Sequence, residues 1–100
     1  MAVKLVMTWD ITPEHEQEYF EFVIGELVPG VQRLGIKPIE AWATMYGDYP
    51  QIQVAMLADD LSGAQRFLRS NGWNRLYEKL SGFIQNYSCK VVPARNGYQF

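Results

Sequence analysis

The chain repeats one pattern of secondary structure. A strand, a helix and a strand are predicted in each half, and a turn at residues 46–50 joins the halves. Glycine, aspartate and proline in this turn favour a hairpin between the second and third strands. One hundred residues leave room for a single domain. We therefore predict an α+β fold of βαββαβ order, with one four-stranded antiparallel sheet and both helices on one face.

The first half carries the clearest local signals. Apolar residues recur at every second position from Val3 to Trp9, which is the periodicity of a strand with one apolar face. For the first helix we predict Thr12 as the N-cap and Pro13 as the first helical residue. The apolar stripe of this helix recurs every three to four residues, and Pro29 is expected to end or kink the helix.

The second half repeats the pattern with different end signals. Ser62 is predicted as the N-cap of the next helix, and Asn71 and Gly72, which both tolerate the left-handed backbone conformation, are expected to break that helix. Gly82 then ends a short following helix, and residues 83–92 form the last strand. We assign residues 1–100 to one domain, with a core of about residues 3–92 and a tail at residues 93–100.

The two faces of the predicted sheet differ in character. Ala41 and Ala43 on the second strand are small and suit close packing of a helix. The opposite face is too aromatic to leave bare in water and too polar for a dry core. Its assigned members are Trp42, Thr44, Tyr46, Gln53, Ala55, Leu57, Gln85, Tyr87 and Cys89. This face is expected to be covered by a second subunit or to line a semi-polar cavity, and the two are compatible.

Composition excludes several classes of function. A formal charge of −2 does not suit an electrostatic nucleic-acid binder, and the third strand lacks the aromatic and basic residues of an RNA-binding sheet. Cys89 is the one cysteine, so neither an internal disulfide nor a zinc site is predicted. No stretch approaches transmembrane length, and no metal, membrane or nucleic-acid partner is predicted. A reducing, cytoplasmic location fits these features.

Few side chains suggest catalysis. His15 is the one histidine and lies at the start of the first helix, and Asp10 ends the first strand. Either is a candidate for moving a proton, whereas a solvated or capping role is the simpler interpretation of His15. No serine has a triad partner to spare, and no glycine-rich phosphate loop is present. The catalytic residues are therefore undetermined, and no cofactor is predicted.

The element order is that of the ferredoxin-like fold, and together with the Trp42 and Tyr46 strand it resembles the dimeric α/β-barrel superfamily. This superfamily includes antibiotic-biosynthesis-type monooxygenases, NIPSNAP-like proteins and muconolactone isomerases. The resemblance covers about residues 3–92 and rests on no diagnostic motif. It implies a homodimer in which two sheets form one barrel, with pockets inside the barrel or between each sheet and its helices. Haem-degrading members use a histidine and an asparagine that this chain lacks at the corresponding positions.

The resemblance implies a cofactor-independent monooxygenase or isomerase that acts on a small aromatic or apolar compound. In such a site Trp42 and Leu57 would pack on the ligand, and Tyr46 and Tyr87 would donate hydrogen bonds. The alternative is a non-catalytic homodimeric module whose aromatic sheet face is the subunit interface, a place where Trp and Tyr are enriched. Residues alone leave both interpretations open.

Overall fold

Four strands and two helical regions follow the predicted order. The computed structural model describes residues 1–46 and 49–94, with the side chains of residues 45–46 and 49–50 outside the description. The strands are β1 (Val3–Ile11), β2 (Lys37–Tyr46), β3 (Tyr49–Ala58) and β4 (Ile84–Pro93). The helices are α1 (Glu16–Phe22), a π-helical segment (Val23–Leu27), α2 (Val28–Arg33), α3 (Leu61–Arg69) and α4 (Asn71–Leu80). The predicted tip of the hairpin and the end of the predicted tail lie outside the described residues.

The sheet has the strand order β2-β3-β1-β4, and all neighbouring strands are antiparallel. With the helices on one face, this arrangement confirms the predicted α+β, ferredoxin-like fold. β1 is a central strand, and its odd-numbered residues from Val3 to Ile11 are all buried. Leu5, Met7 and Ile11 are completely inaccessible, so the face of β1 that meets the helices forms the middle of the core.

The first helix begins at Glu16, so the prediction of Thr12 as its N-cap was wrong. The backbone N–H of Thr12 donates to the carbonyl of Phe83 at 2.8 Å, which ties the end of β1 to the chain entering β4. Glu14 has a φ of 73°, which a right-handed helix does not allow. Residues 12–15 therefore form a turn, and His15 occupies the N-cap position without a side-chain capping bond.

Pro29 does not end the first helix. The backbone stays helical from Glu16 to Arg33, with the π-helical segment directly before Val28 and Pro29 in the first turn of α2. At the start of a new hydrogen-bonding pattern, the missing N–H of proline costs little. Gly35, with a φ of 86°, closes α2, and its N–H donates to the carbonyl of Gln32 at 3.0 Å. Hereafter residues 16–33 are called the first helix.

The caps of the second half lie elsewhere than predicted. Asp60 is the N-cap of α3, and its carboxylate accepts a hydrogen bond from the backbone N–H of Gly63 at 2.6 Å. Ser62 is already inside the helix, so its assignment as the cap was wrong. Ser70 separates α3 from α4, because its hydroxyl donates to the carbonyl of Phe67 and accepts from the N–H of Trp73. Residues 71–72 thus begin α4 instead of ending α3.

Strand register places the residues on the two faces of the sheet. Ala41 lies opposite Val54 and Ala43 opposite Ile52 on the helix side, whereas Trp42 lies opposite Gln53 on the far side, as predicted. We call the far side the open face.

The assignment of Tyr87 and Cys89 to the open face was wrong. Cys89 lies opposite Met7, and the ring of Tyr87 stacks on Trp9 at a centroid distance of 6.2 Å, so both are on the helix side. The register of β4 shifts between its pairings with Thr8 and Asp10, and Asn86 there has a φ of 59°. One extra residue at this bulge reverses the alternation that the sequence suggests.

Among the described residues, no helix is long and apolar enough to cross a membrane.

Separate substitutions at Asp60 and Ser62, the observed and the predicted N-cap, test this description of α3. Replacing Asp60→Ala is expected to lower the free energy of unfolding by about 1 kcal/mol, because a backbone N–H of the first turn loses its acceptor. Asp60→Asn keeps an acceptor and is expected to restore most of the loss. Ser62→Ala is expected to change stability by less than about 0.5 kcal/mol. Urea denaturation measures all three, and a larger effect at Ser62 than at Asp60 would contradict the structure.

Candidate functional site

An apolar cleft of about 500 Å³ lies between the first helix and the helix side of the sheet. One wall is formed by side chains of the first helix, namely Phe20, Val23, Leu27, Val28 and Val31. The other is formed by the helix side of β2 and β3, namely Ala41, Ala43, Ile52, Val54 and Met56. Met7, Trp9, Tyr19 and Trp73 also line the cleft. This space has the size and apolar character of a small-molecule pocket.

The cleft exists because the helix does not close on β2. The sequence predicts close packing of a helix on Ala41 and Ala43, yet both residues remain exposed. Neither methyl side chain is long enough to reach across to the first helix. The small residues therefore leave space along this edge of the sheet instead of bringing the two layers together.

A hydrogen-bonded aromatic pair supplies the polar part of the cleft lining. The indole Nε1 of Trp9 donates to the hydroxyl of Tyr19 at 3.0 Å, and the two rings meet edge to face. Both side chains are buried, and Tyr19 is only 3% exposed. Burial raises the pKa of the Tyr19 hydroxyl, and the bond from Trp9 offsets part of that effect. The hydroxyl therefore stays protonated at neutral pH.

Large apolar side chains surround the mouth of the cleft. Phe20 is 50% exposed and Trp42 is 44% exposed, while Ile39 and Val28 are also accessible. Glu40 lines the same region, next to the bulge in β2 between Pro38 and Glu40. An apolar rim of this kind is typical of a surface that binds a ligand or a partner.

The structure brings one of the predicted ligand-binding residues to the cleft. Trp42 is among the residues that line the cleft, although its pairing with Gln53 places it on the open face of the edge strand β2. Leu57 lies on the open face opposite Lys4 and Lys37 and does not line the cleft. Tyr87 packs behind Trp9 and also contacts the ring of Tyr77, without lining the cleft. The side chain of Tyr46 lies outside the described side chains. Ligand contact by these four residues stays a prediction.

The two proton-transfer candidates lie apart from the cleft. Asp10 is at the end of β1, where its carboxylate accepts a hydrogen bond from the Asn86 amide at 2.8 Å. His15 Nδ1 lies 2.8 Å from a carboxylate oxygen of Glu18, and its ring is beside Phe83. Their catalytic roles stay predictions. Within residues 1–46 and 49–94, no three acidic, histidine or cysteine side chains gather as a metal site.

Tyr19 is the candidate site residue that the sequence analysis missed. It was not distinguished from the other residues of the first helix. The available signal was a tyrosine one helical turn before Val23 and two turns before Leu27, on the buried stripe. A buried tyrosine hydroxyl usually finds a hydrogen-bond partner, which sets this position apart from purely apolar neighbours.

Comparison with known proteins shows the fold. A NIPSNAP family protein from Agrobacterium tumefaciens superposes with a TM-score of 0.73 at 15% identity, covering 97% of this chain and 96% of that one. SnoaB from Streptomyces nogalater, a cofactor-independent oxygenase, gives a TM-score of 0.69 at 14% identity, covering 95% and 94%. A putative antibiotic biosynthesis monooxygenase from Chloroflexus aurantiacus gives 0.61 at 11% identity, covering 99% and 98%. No family model and no curated protein matches the chain.

Behind the cleft, burial controls the chemistry of Cys89. Desolvation raises the pKa of the Cys89 thiol, and the nearby Tyr87 hydroxyl offsets this only in part. Burial, followed by the charge and hydrogen bond of Cys89, also raises the pKa of Tyr87. A raised pKa leaves less of the reactive thiolate at any given pH.

Alkylation of the single cysteine tests this environment. The pH at which iodoacetamide modifies Cys89 at half its maximal rate is expected to be higher in the folded protein than in the urea-unfolded chain. Burial disfavours the thiolate only in the folded state, so the difference should disappear on unfolding. Mass spectrometry of timed samples measures the rates. Equal midpoints in the two states would contradict this environment for Cys89.

Proposed function

We propose that this protein, whose fold is that of NIPSNAP proteins and antibiotic biosynthesis monooxygenases, binds a small aromatic compound in the cleft between the first helix and β2. The observation that carries this proposal is the apolar, aromatic-lined space of about 500 Å³ that the two layers leave open. The reaction that we propose for this cleft is cofactor-independent oxygenation, the activity that the description of SnoaB gives for that protein.

The walls of the cleft favour a flat, mostly apolar ligand. Ala41 and Ala43 form a smooth surface on the sheet, the rings of Tyr19 and Phe20 line the cleft from the first helix, and the ring of Trp9 lines it from β1. Removing apolar surface from water contributes roughly 25 cal/mol per Å², so a ligand of two to four fused rings has ample driving force for binding. The exposed apolar rim becomes covered at the same time.

Oxygenation without a cofactor requires a substrate that supplies its own electrons. An activated ring methylene fits, because loss of a proton gives an electron-rich carbanion that reduces dioxygen. Conversion of that methylene to a carbonyl consumes one molecule of dioxygen and releases one molecule of water, so atoms and electrons balance. The protein holds the substrate and excludes bulk water, which are the contributions the cleft is built to make.

The open face is proposed to pair with a second copy of the chain. Gln53 lies near its middle, between Trp42 on β2 and Thr8 on β1. The hydroxyl of Thr8 is 2.6 Å from that of Ser88, so part of the polar surface is already satisfied within the subunit. A second sheet would cover the apolar residues of this face. This arrangement also supports the alternative of a non-catalytic dimer, in which the same face is an interface and the cleft is not used for turnover.

Filling the cleft is expected to abolish oxygenation. Anthrone, a three-ring compound with an activated methylene, is incubated with the protein in air, and formation of anthraquinone is followed by absorbance together with oxygen uptake. Ala43→Phe is expected to reduce turnover by at least about tenfold, because the ring occupies the ligand's space. Ala43 is exposed, so the larger side chain does not crowd the core.

Ala43→Ser changes the size of the side chain little and is the matched control, expected to keep most of the activity. Wild-type protein that shows no turnover of anthrone or related quinols above the uncatalysed rate would contradict the oxygenase. Equal turnover by wild type and Ala43→Phe would place the reaction elsewhere on the protein.

A charge on the open face tests the dimer. Gln53→Arg is expected to convert a wild-type dimer into a monomer at micromolar concentration, because twofold symmetry brings the two guanidinium groups into one desolvated interface. Gln17→Arg adds the same charge to the exposed side of the first helix and is expected to leave the dimer intact. Sedimentation velocity measures both. A wild-type protein that is monomeric at this concentration would contradict the proposed dimer.

A further inference from the structure

The Trp9–Tyr19 hydrogen bond uses the Tyr19 hydroxyl only as an acceptor, and its capacity to donate stays unused. A phenol can donate one hydrogen bond and accept others. Trp9 Nε1 is a donor only, so at 3.0 Å it occupies an acceptor position of the Tyr19 oxygen. The hydrogen of the hydroxyl finds no acceptor in the part of the chain that the structure describes. A buried donor without a partner is costly, and at 3% exposure Tyr19 has little water available.

A second unused donor lines the same cleft. Trp73 begins the buried stripe of α4 and is only 5% exposed. Its rings pack against Phe67 and Tyr77, and its indole N–H makes no hydrogen bond with any described residue. The cleft therefore offers buried donors, whereas the carboxylate that lines it, Glu40, is on the exposed β2 edge. This imbalance favours a ligand that brings an acceptor.

We propose that Tyr19 determines ligand specificity, because its hydroxyl donates a hydrogen bond to an acceptor oxygen carried by an otherwise apolar aromatic ligand. The inference deepens the proposed function and rests on the cleft being the ligand site. It assigns to the site a preference for ring ketones over hydrocarbons of the same shape.

Two features of the surroundings suit the hydroxyl to this role. Trp9 is fixed between Tyr19 and the stacked ring of Tyr87, so the indole N–H holds the hydroxyl in place before a ligand arrives. Burial raises the pKa of Tyr19, which keeps the donating hydrogen present throughout the neutral range. Trp42, by contrast, is 44% exposed, and water competes for its indole N–H.

Two ligands of the same shape separate the contribution of the hydrogen bond to binding affinity from the contribution of apolar packing. Fluorenone and fluorene share three fused rings and differ by a carbonyl in place of a methylene, and neither needs to react for binding to be measured. Tryptophan fluorescence quenching gives both dissociation constants. Tyr19→Phe is expected to weaken fluorenone binding about five- to tenfold and to leave fluorene binding unchanged, because only the ketone loses a hydrogen bond.

Tyr77→Phe is the matched control, since it removes a hydroxyl from a side chain that packs on Trp73 outside the cleft. It is expected to change neither constant. Circular dichroism checks that each variant folds, because Tyr19→Phe also deprives the Trp9 N–H of its acceptor.

An infrared spectrum of bound fluorenone provides a readout that needs no folded variant. In the wild-type complex the carbonyl stretch is expected at lower wavenumber than in an apolar solvent, as a donated hydrogen bond requires. Equal weakening of both ligands by Tyr19→Phe, or an unshifted carbonyl in the wild type, would overturn the role of Tyr19 while leaving the cleft as the ligand site. Wild-type protein that binds neither compound would overturn the cleft and this inference together.

Discussion

The packing of Trp9 is the interaction on which the rest of the structure depends. Trp9 lies on the buried side of a central strand, stacks on Tyr87 of β4 and donates its N–H to Tyr19 of the first helix. One side chain thus joins the sheet's middle, its β4 edge and the helical layer. Because interiors are close-packed, this contact sets how near the helix can come to the sheet. The cleft begins where that contact ends.

The opposite edge of the sheet is built differently. β2 offers methyl groups where β1 offers an indole, so the helix is supported near β1 and unsupported over Ala41 and Ala43. A gap between two rigid layers is a preformed site, and a ligand entering it loses little free energy to rearrangement of the protein. Binding in such a place depends mainly on shape and apolar area, and a few buried polar groups choose between ligands of similar shape.

Regular alternation made much of the fold predictable, and irregular backbone limited the rest. Every second residue of β1 is buried, and the faces of Trp42, Ala41 and Ala43 follow from simple periodicity. Tyr87 was assigned to the wrong face because a bulge at Asn86 leaves no clear mark in the sequence. The cap at Asp60 was missed because several polar residues there compete for the role. The cleft itself depends on distances between layers, which no local pattern encodes, and so Tyr19 was not recognised.

The position of β2 has one more consequence. In a single subunit β2 is an edge strand, and its free N–H and C=O groups are a template for unwanted pairing with other chains. The same strand forms one wall of the cleft, so a compound bound in the proposed site would buttress one of the two edge strands of the sheet. Binding in the proposed site would then be linked thermodynamically to aggregation, since a molecule that binds only the folded form lowers the population with a loosened edge.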